Sequence, residues 1–193
     1  MITWYLARGA GLAALVLLSL STALGALGSG GRAAGSRYVL QYVHRAAAGL
    51  GLATLALHLV AVLSDSFANV TWTGALVPFT AGYRPQWVAL GTVATYLFLG
   101  VAALGLARGR LAASTAGARV WRGLHALAYA GWLAALGHGF TSGTDSGVGW
   151  VRLLYVLCIA GVAGAVAIRL STRSKRDADR RLTTTRPLEG ALR

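Results

Sequence analysis

Long apolar stretches alternate with short polar connections along most of the chain. Five of these stretches are about 20 residues long, the length that an apolar helix needs to cross the hydrocarbon core of a bilayer. They cover approximately residues 9–28, 39–63, 87–107, 120–140 and 149–170. The pattern therefore predicts an all-α membrane bundle with five transmembrane helices in a single domain, residues 1–170.

The composition favours the same class of protein. Hydrophobic residues make up 56% of the chain and charged residues 12%, whereas a soluble domain carries about 25% charged residues. A net charge of +13 is also found in nucleic-acid-binding proteins, but here the basic residues lie in short connections, as membrane topology signals do. Cys158 is the single cysteine, which excludes disulfides within the chain and thiolate metal clusters.

The connections differ in charge. The first, the third and the C-terminal tail are basic, whereas the second and fourth contain one basic residue, Arg84, and two acidic residues, Asp65 and Asp145. Basic residues mark the cytoplasmic side, so we expect the N-terminus outside and the C-terminus in the cytoplasm. The alternative of a cleaved signal peptide, which the small residues ending the first stretch allow, requires the opposite orientation.

The tail, residues 171–193, is polar, basic and without apolar periodicity. Such a composition predicts a disordered cytoplasmic segment that lies near anionic lipid or a partner.

All four histidines lie in two of the predicted spans. His44 and His58 belong to the second, and His125 and His138 to the fourth. These spans run parallel because one helix separates them, and their histidines are about 21 Å and about 20 Å apart along the axis. His44 therefore pairs with His125 toward the inner face, and His58 with His138 toward the outer face. Each pair can supply both axial ligands of a heme iron.

The second histidine interval does not fit a straight helix. Fourteen positions return to within about 40° of the same face, but thirteen leave about 140° between His125 and His138. We therefore expect a kink or a local irregularity near Gly131 or Gly137. A histidine in a membrane helix can also serve in packing or in a proton relay. A bare metal ion is disfavoured because the two levels are too far apart to share it.

The stretches YVHRAAAGLGLATLALHL and RGLHALAYAGWLAALGHG resemble the two heme helices of the ferric reductase-like transmembrane domain. Ferric reductases and NADPH oxidases share this domain, which has thirteen residues between the histidines of one helix and twelve on the other. The resemblance covers about residues 4–170. It implies two b-type hemes, the inner bound by His44 and His125 and the outer by His58 and His138.

Four arginines are further candidates for cofactor binding. Arg8 resembles a family arginine near the outer heme, where it can meet a propionate or an anionic oxygen species. Arg37, Arg45 and Arg122 can pair with propionates of the inner heme. The alternative for all four is a flanking arginine that extends to water at the membrane interface.

Two departures from the family limit the expected chemistry. NADPH oxidases that make superoxide carry a further histidine where this chain has Val62, which puts oxygen reduction in doubt. No G-x-G-x-x-G element follows Leu170, so we expect no FAD or NAD(P)H site in the tail. The electron donor is then a separate cytoplasmic flavin reductase or quinol.

The sequence thus predicts a multi-pass protein of the cell membrane that carries electrons from a cytoplasmic donor to an extracytoplasmic acceptor. The acceptor is a ferric chelate or a partner redox protein, and the chain is an oxidoreductase or the electron-transfer subunit of one.

An alternative is the heme-binding membrane subunit of a periplasmic methionine sulfoxide reductase system. Another alternative is a quinol-linked cytochrome b of another family, but those proteins use different histidine spacings, which counts against it. A histidine-relay proton channel or transporter requires an aqueous path, and the spans contain few other polar groups to line one.

Overall fold

A computed structural model describes residues 2–28, 34–66, 68 and 70–184. These residues form helices and no β-strand, which confirms the all-α prediction. The helices are α1 (Ile2–Leu27), α2 (Ala34–Leu63), α3 (Trp72–Leu76), α4 (Pro85–Leu106), α5 (Arg108–Leu111), α6 (Thr115–His125), α7 (Leu127–Ser142) and α8 (Gly149–Thr184).

Four described helices are long and apolar enough to cross a membrane: Ile2–Leu27, Gly35–Leu63, Pro85–Leu106 and Gly149–Ala178. They coincide with the first, second, third and fifth predicted stretches. Large apolar side chains cover their outer surfaces; Leu50 is 60% and Leu157 is 62% exposed. Exposed apolar surface on this scale suits contact with lipid. The four helices indicate a membrane protein.

The fourth predicted span is divided into α6 and α7. Ala126 lies between them with φ −69° and ψ −11°, and its N–H is shared between the carbonyls of Arg122 and Gly123. This is a short turn of 3₁₀ type. At 11 and 16 residues, each helix alone is shorter than the about 20 residues that a span needs.

The irregularity expected near Gly131 or Gly137 is therefore at Ala126. Both glycines lie inside the continuous helix α7. Gly131 has a different role, since a Cβ on it would lie 3.1 Å from Leu97 Cβ. Its missing side chain allows α7 to pack closely on α4. The irregularity is next to His125, and the helix is regular around His138.

Helix α1 packs along α2 and α8, and α4 packs along α7. The core between them contains Leu18, Phe98 and Trp132, and the Trp132 indole donates a hydrogen bond to Ser19 Oγ (2.8 Å). Among the described residues, α2 shares no packing interface of comparable extent with α6 or α7. The helices that carry the histidines therefore face each other across a gap, with α1 and α4 beside it.

Helix α8 continues to Thr184, so residues 171–184 of the tail predicted to be disordered are helical in the structure. No glycine or proline interrupts this segment, and its Arg, Lys, Ala and Leu residues favour helix. Asp177 is four positions from both Arg173 and Arg181, a spacing that stabilises a helix. The side chains of residues 171–178 are exposed, and residues 185–193 of the predicted tail lie outside the described residues.

Candidate functional site

The structure brings the four histidines together in two pairs. The ring centroids of His44 and His125 are 6.3 Å apart, and those of His58 and His138 are also 6.3 Å apart. The ring planes cross at 65° and 75° respectively. These are the pairs that helix periodicity and topology predicted, and their spacing is the same at both levels.

Three of the four rings are oriented by a hydrogen bond from Nδ1 to a backbone carbonyl of the neighbouring helix. The bonds are His58 to Ala7 (2.7 Å), His44 to Ser21 (2.8 Å) and His138 to Trp87 (2.9 Å). A ring that donates from Nδ1 leaves the lone pair of Nε2 available to a metal. The same bond strengthens the imidazole as a ligand. Hydrogen bonding of this kind is typical of metal-binding histidines.

A glycine of the neighbouring helix lies beside each of these rings. A Cβ added to Gly91 would lie 2.8 Å from His138 Nδ1, and one added to Gly11 would lie 3.0 Å from His58 Nδ1. At Gly25 the distance to the His44 ring would be 3.2 Å. A side chain at these positions would push the ring away from the helix. The absent side chain therefore lets each imidazole reach a helix carbonyl.

The arrangement occurs twice, at an offset of 80 residues. Gly91 and His138 follow Gly11 and His58 by 80 positions each. The carbonyls that accept from the outer histidines belong to residues 7 and 87, also 80 apart and four positions before their glycines. We call each copy a glycine–histidine unit; the first consists of α1 and α2, and the second of α4, α6 and α7.

His125 departs from the pattern of the other three. Thirteen positions separate it from His138, against fourteen in the first unit, and its ring is farther from α4, at 3.7 Å from a Cβ added to Gly105. Within the described part of the chain, its buried Nδ1 has no hydrogen-bond partner. The Val101 carbonyl, four positions before Gly105, faces this ring, as the carbonyls of Ser21, Ala7 and Trp87 face the other three.

A tryptophan lies against this fourth ring. The indole of Trp121 stacks on His125 with the centroids 4.8 Å apart and the planes at 18°. The indole N–H donates to the Leu104 carbonyl on α4 (2.8 Å). The Arg108 guanidinium lies 5.2 Å from the indole centroid, within the range of a cation–π interaction. Trp121 is thus fixed to α4 at the level of His125.

The outer pair lines a cavity of about 410 Å³. The cavity extends from Leu18 and Phe98 in the core to Asp145 in the connection before α8, and Arg8 and Val62 also line it. Cavities that hold small molecules and cofactors are typically about 300–1,000 Å³. The predicted outer histidines thus adjoin a space that can receive a cofactor.

Arg8 is held at the end of this cavity. It forms an ion pair with Asp145, and its guanidinium lies 4.0 Å from the centroid of the Trp4 ring. Ser142 lines the same cavity, and within the described residues its buried hydroxyl has no hydrogen-bond partner. The cavity therefore combines apolar walls with a few polar groups near its end. The other candidate arginines, Arg37, Arg45 and Arg122, are exposed on α2 and α6.

Each pair supplies two nitrogen ligands, fewer than a metal ion held by the protein alone needs. No group of three or more His, Cys, Asp or Glu side chains among the described residues could hold a metal ion, and a structural zinc site needs four ligands. Heme iron takes its other ligands from the macrocycle. Each bond between the metal and an imidazole nitrogen is about 2 Å long, and each nitrogen lies about 1 Å from the centroid of its ring. Two histidines on one metal therefore have their ring centroids roughly 6 Å apart. The observed 6.3 Å matches this separation.

Sequence reasoning did not find the four glycines beside the rings or Trp121. The glycines had a signal, since glycine and histidine recur together at an offset of 80 positions. Trp121 lies one helical turn before His125, a spacing that places two side chains side by side.

Comparison of the chain with family models, with curated protein sequences and with solved structures finds no match.

Proposed function

We propose that this protein carries electrons across the membrane through two b-type hemes, as the resemblance to ferric reductase-like domains implies. His44 and His125 hold the inner heme, and His58 and His138 hold the outer one. The observation that carries the proposal is the 6.3 Å separation of the ring centroids, present at both levels. It is supported by the Nδ1 hydrogen bonds that prepare three of the rings as ligands.

When bound, heme supplies an iron that gains and loses one electron. Because two histidines would hold each heme, the group would pass electrons without binding substrate at its iron. The carbonyls of Ala7, Ser21 and Trp87 fix the ring orientations and limit rearrangement of the ligands between the two oxidation states.

The region between the two levels argues against a proton path. Leu18, Phe98 and Trp132 form a buried apolar cluster there, and Leu18 is seven positions from both Gly11 and Gly25. A histidine relay needs polar groups or water that connect its members. Electrons can cross an apolar layer between two redox groups by tunnelling, whereas protons need polar groups or water to carry them. This difference favours electron transfer.

The proposed topology has five spans, with α6 and α7 together forming an interrupted fourth one. Thr115–Ser142 would extend about 42 Å as a continuous helix, which is sufficient to cross a bilayer. The basic residues of α5 and α6 then lie in the cytoplasm with the inner pair, and the N-terminus lies outside. Electrons enter from a separate cytoplasmic flavoprotein or quinol and leave to a ferric chelate or a partner redox protein.

The experiment that tests the proposal is a dithionite-reduced minus oxidised absorption spectrum of the purified protein, with heme quantified per chain. We expect sharp bands of a low-spin b-type cytochrome, about two hemes per chain, and no large spectral change with carbon monoxide. The His58→Ala variant should lose one heme. Gly9→Ala is the control, because a Cβ there meets nothing within 4 Å. Absence of heme from protein made with ample heme supply would sink the proposal.

A further inference from the structure

The connection between α2 and α4 carries no charged residue between Asp65 and Arg84. These 18 positions, 66–83, include the short helix α3 and several apolar residues on either side of it. Charged side chains are the groups that a bilayer tolerates least. Nothing in the charge of this segment therefore prevents it from entering lipid.

Helix α3 is held at a defined depth along α4. The Thr92 hydroxyl donates to the Ala75 carbonyl (3.0 Å), and the Tyr96 hydroxyl donates to the Leu76 carbonyl. Thr92 is seven positions after the first residue of α4, about 10 Å along the axis. It also directly follows Gly91, the glycine beside the outer histidine His138. The short helix thus lies beside the third turn of α4, at the level of the outer pair.

The backbone of α3 is hydrogen-bonded within the protein. The last carbonyls of a helix have no partner inside the helix, but here those of Ala75 and Leu76 accept from α4 hydroxyls. The Thr73 carbonyl accepts from Thr80 Oγ1 (2.9 Å), and Thr71 caps the first turn. Irregular backbone occurs at membrane depth only where protein groups satisfy it in this way.

The outward face of α3 and the following turn is apolar. Trp72 and Phe79 are each 69% exposed. Phe79 has φ 71°, a left-handed conformation that favours glycine, so strained backbone displays a phenyl ring that packs on little of the chain. Tyr96, which binds Leu76, belongs to the exposed apolar face of α4 together with Leu99. The apolar surface of α3 therefore continues the surface that α4 presents to lipid.

The opposite side of α3 adjoins the outer cavity. Ala75 and, farther along the connection, Tyr83 line this cavity with His58 and His138. Among the described residues, α2 and α4 share little direct packing, and α3 contacts both. The short helix therefore fills the opening between α2 and α4 beside the outer pair.

We propose that α3 is a re-entrant segment immersed in the outer leaflet of the membrane. It contacts acyl chains through Trp72, Leu76 and Phe79, and it separates the outer histidine pair from lipid. The inference rests on the topology given with the proposed function. Acyl chains are the occupant that the uncharged sequence, the depth along α4 and the continuity with its lipid-exposed face favour.

The test places spin labels on the full-length protein in phospholipid nanodiscs, in a Cys158→Ser background. The probes are oxygen, which concentrates in hydrocarbon, and a nickel chelate that stays in water. Labels at Trp72→Cys and Phe79→Cys should collide with oxygen several-fold more than with the chelate. A label at Leu157→Cys on the exposed face of α8 is the lipid control, and one at Gly147→Cys in the last connection is the aqueous control.

A second measurement removes the hydroxyls that hold α3. In the Thr92→Val, Tyr96→Phe double variant, the carbonyls of α3 lose their partners. At membrane depth they must move toward water, so the label at Phe79→Cys should gain contact with the nickel chelate. If α3 lay in water, water would replace the lost bonds and the label would not change. Thr54→Val is the control, because the Thr54 hydroxyl binds only carbonyls of its own helix.

Two results would overturn the inference: a label at Phe79→Cys as accessible to the chelate as the one at Gly147→Cys, or an unchanged label in the double variant. The first would indicate a face open to a soluble partner. Neither measurement needs heme, so a chain without heme but with labels in lipid would contradict the proposed function alone. A chain with two hemes and water-exposed labels would contradict this inference alone.

Discussion

At the scale of single residues, the glycines beside the rings control how closely each imidazole approaches the neighbouring helix. Gly91 permits the closest approach, since its added Cβ would lie 2.8 Å from His138 Nδ1, whereas at Gly105 the ring is at ordinary contact distance, 3.7 Å. The same substitution should therefore have different effects at the two positions. This difference follows from the distance of each ring from α4.

Gly91→Ala should weaken binding of the outer heme by about 10- to 100-fold, the range seen when an outer-sphere partner of a metal ligand is lost. The added methyl group displaces the His138 ring from the Trp87 carbonyl. Heme per chain after dilution or competition with apomyoglobin measures the effect. Gly100→Ala on the same helix meets nothing within 4 Å and should bind heme normally. Equal heme loss in both variants would contradict the role given to Gly91.

Gly105→Ala should retain the inner heme with little change in affinity. Its added Cβ makes an ordinary contact with His125 Cε1, and no Nδ1 hydrogen bond is lost. The spectrum and heme content of this variant should match those of the wild type. Loss of the inner heme would show that His125 lies closer to α4 than the structure places it.

At the scale of elements, the second glycine–histidine unit accommodates one residue fewer between its histidines. A regular helix would point the side chains of His125 and His138 apart by about 140°. The tightened turn at Ala126 lies between them, next to His125. It is the place in this unit where the helix departs from regular geometry.

The five-span topology predicts which connections are accessible from outside the cell. In a Cys158→Ser background, Gly147→Cys should react with a membrane-impermeant thiol reagent in intact cells. Gly109→Cys and Ser174→Cys should react only after the membrane is opened. Both substituted glycines adjoin open space, and Ser174 is exposed. Labelling of Gly109→Cys in intact cells would contradict the proposed orientation.

At the scale of the whole molecule, the ion pair between Arg8 and Asp145 connects the start of α1 with the connection that precedes α8. The side chains are 27% and 19% exposed, respectively, so the pair is partly shielded from water. It closes the end of the bundle that contains the outer cavity. A pair in this position stabilises the fold and fixes the position of the Arg8 guanidinium.

Asp145→Asn should lower the stability of the protein by about 1–2 kcal/mol, less than for a fully buried pair because water still screens the charges. Arg8→Gln should have a similar effect, and the double variant should cost less than the two single changes together. Thermal unfolding followed by circular dichroism measures this coupling. Additive effects would show that the two charges do not interact. The control is Arg119→Gln, because Arg119 is exposed.

The sequence by itself determined the helical class, four apolar helices and the pairing of His44 with His125 and of His58 with His138. These features depend on hydropathy and on helix periodicity, which are local properties of the chain. The structure differs from the local patterns at two places: the irregularity is at Ala126, and residues 171–184 are helical. In both cases the pattern was compatible with more than one backbone conformation.

Only the tertiary structure decided how the rings are held. The carbonyls of Ala7, Ser21 and Trp87, the stacking of Trp121 on His125 and the pairing of Arg8 with Asp145 join residues that lie on different helices or whose orientation depends on a neighbouring helix. Composition and periodicity do not specify which faces of distant helices meet, because that is settled by close packing over the whole bundle. The sequence therefore indicates the histidine pairs, while the packing decides the orientation of their rings.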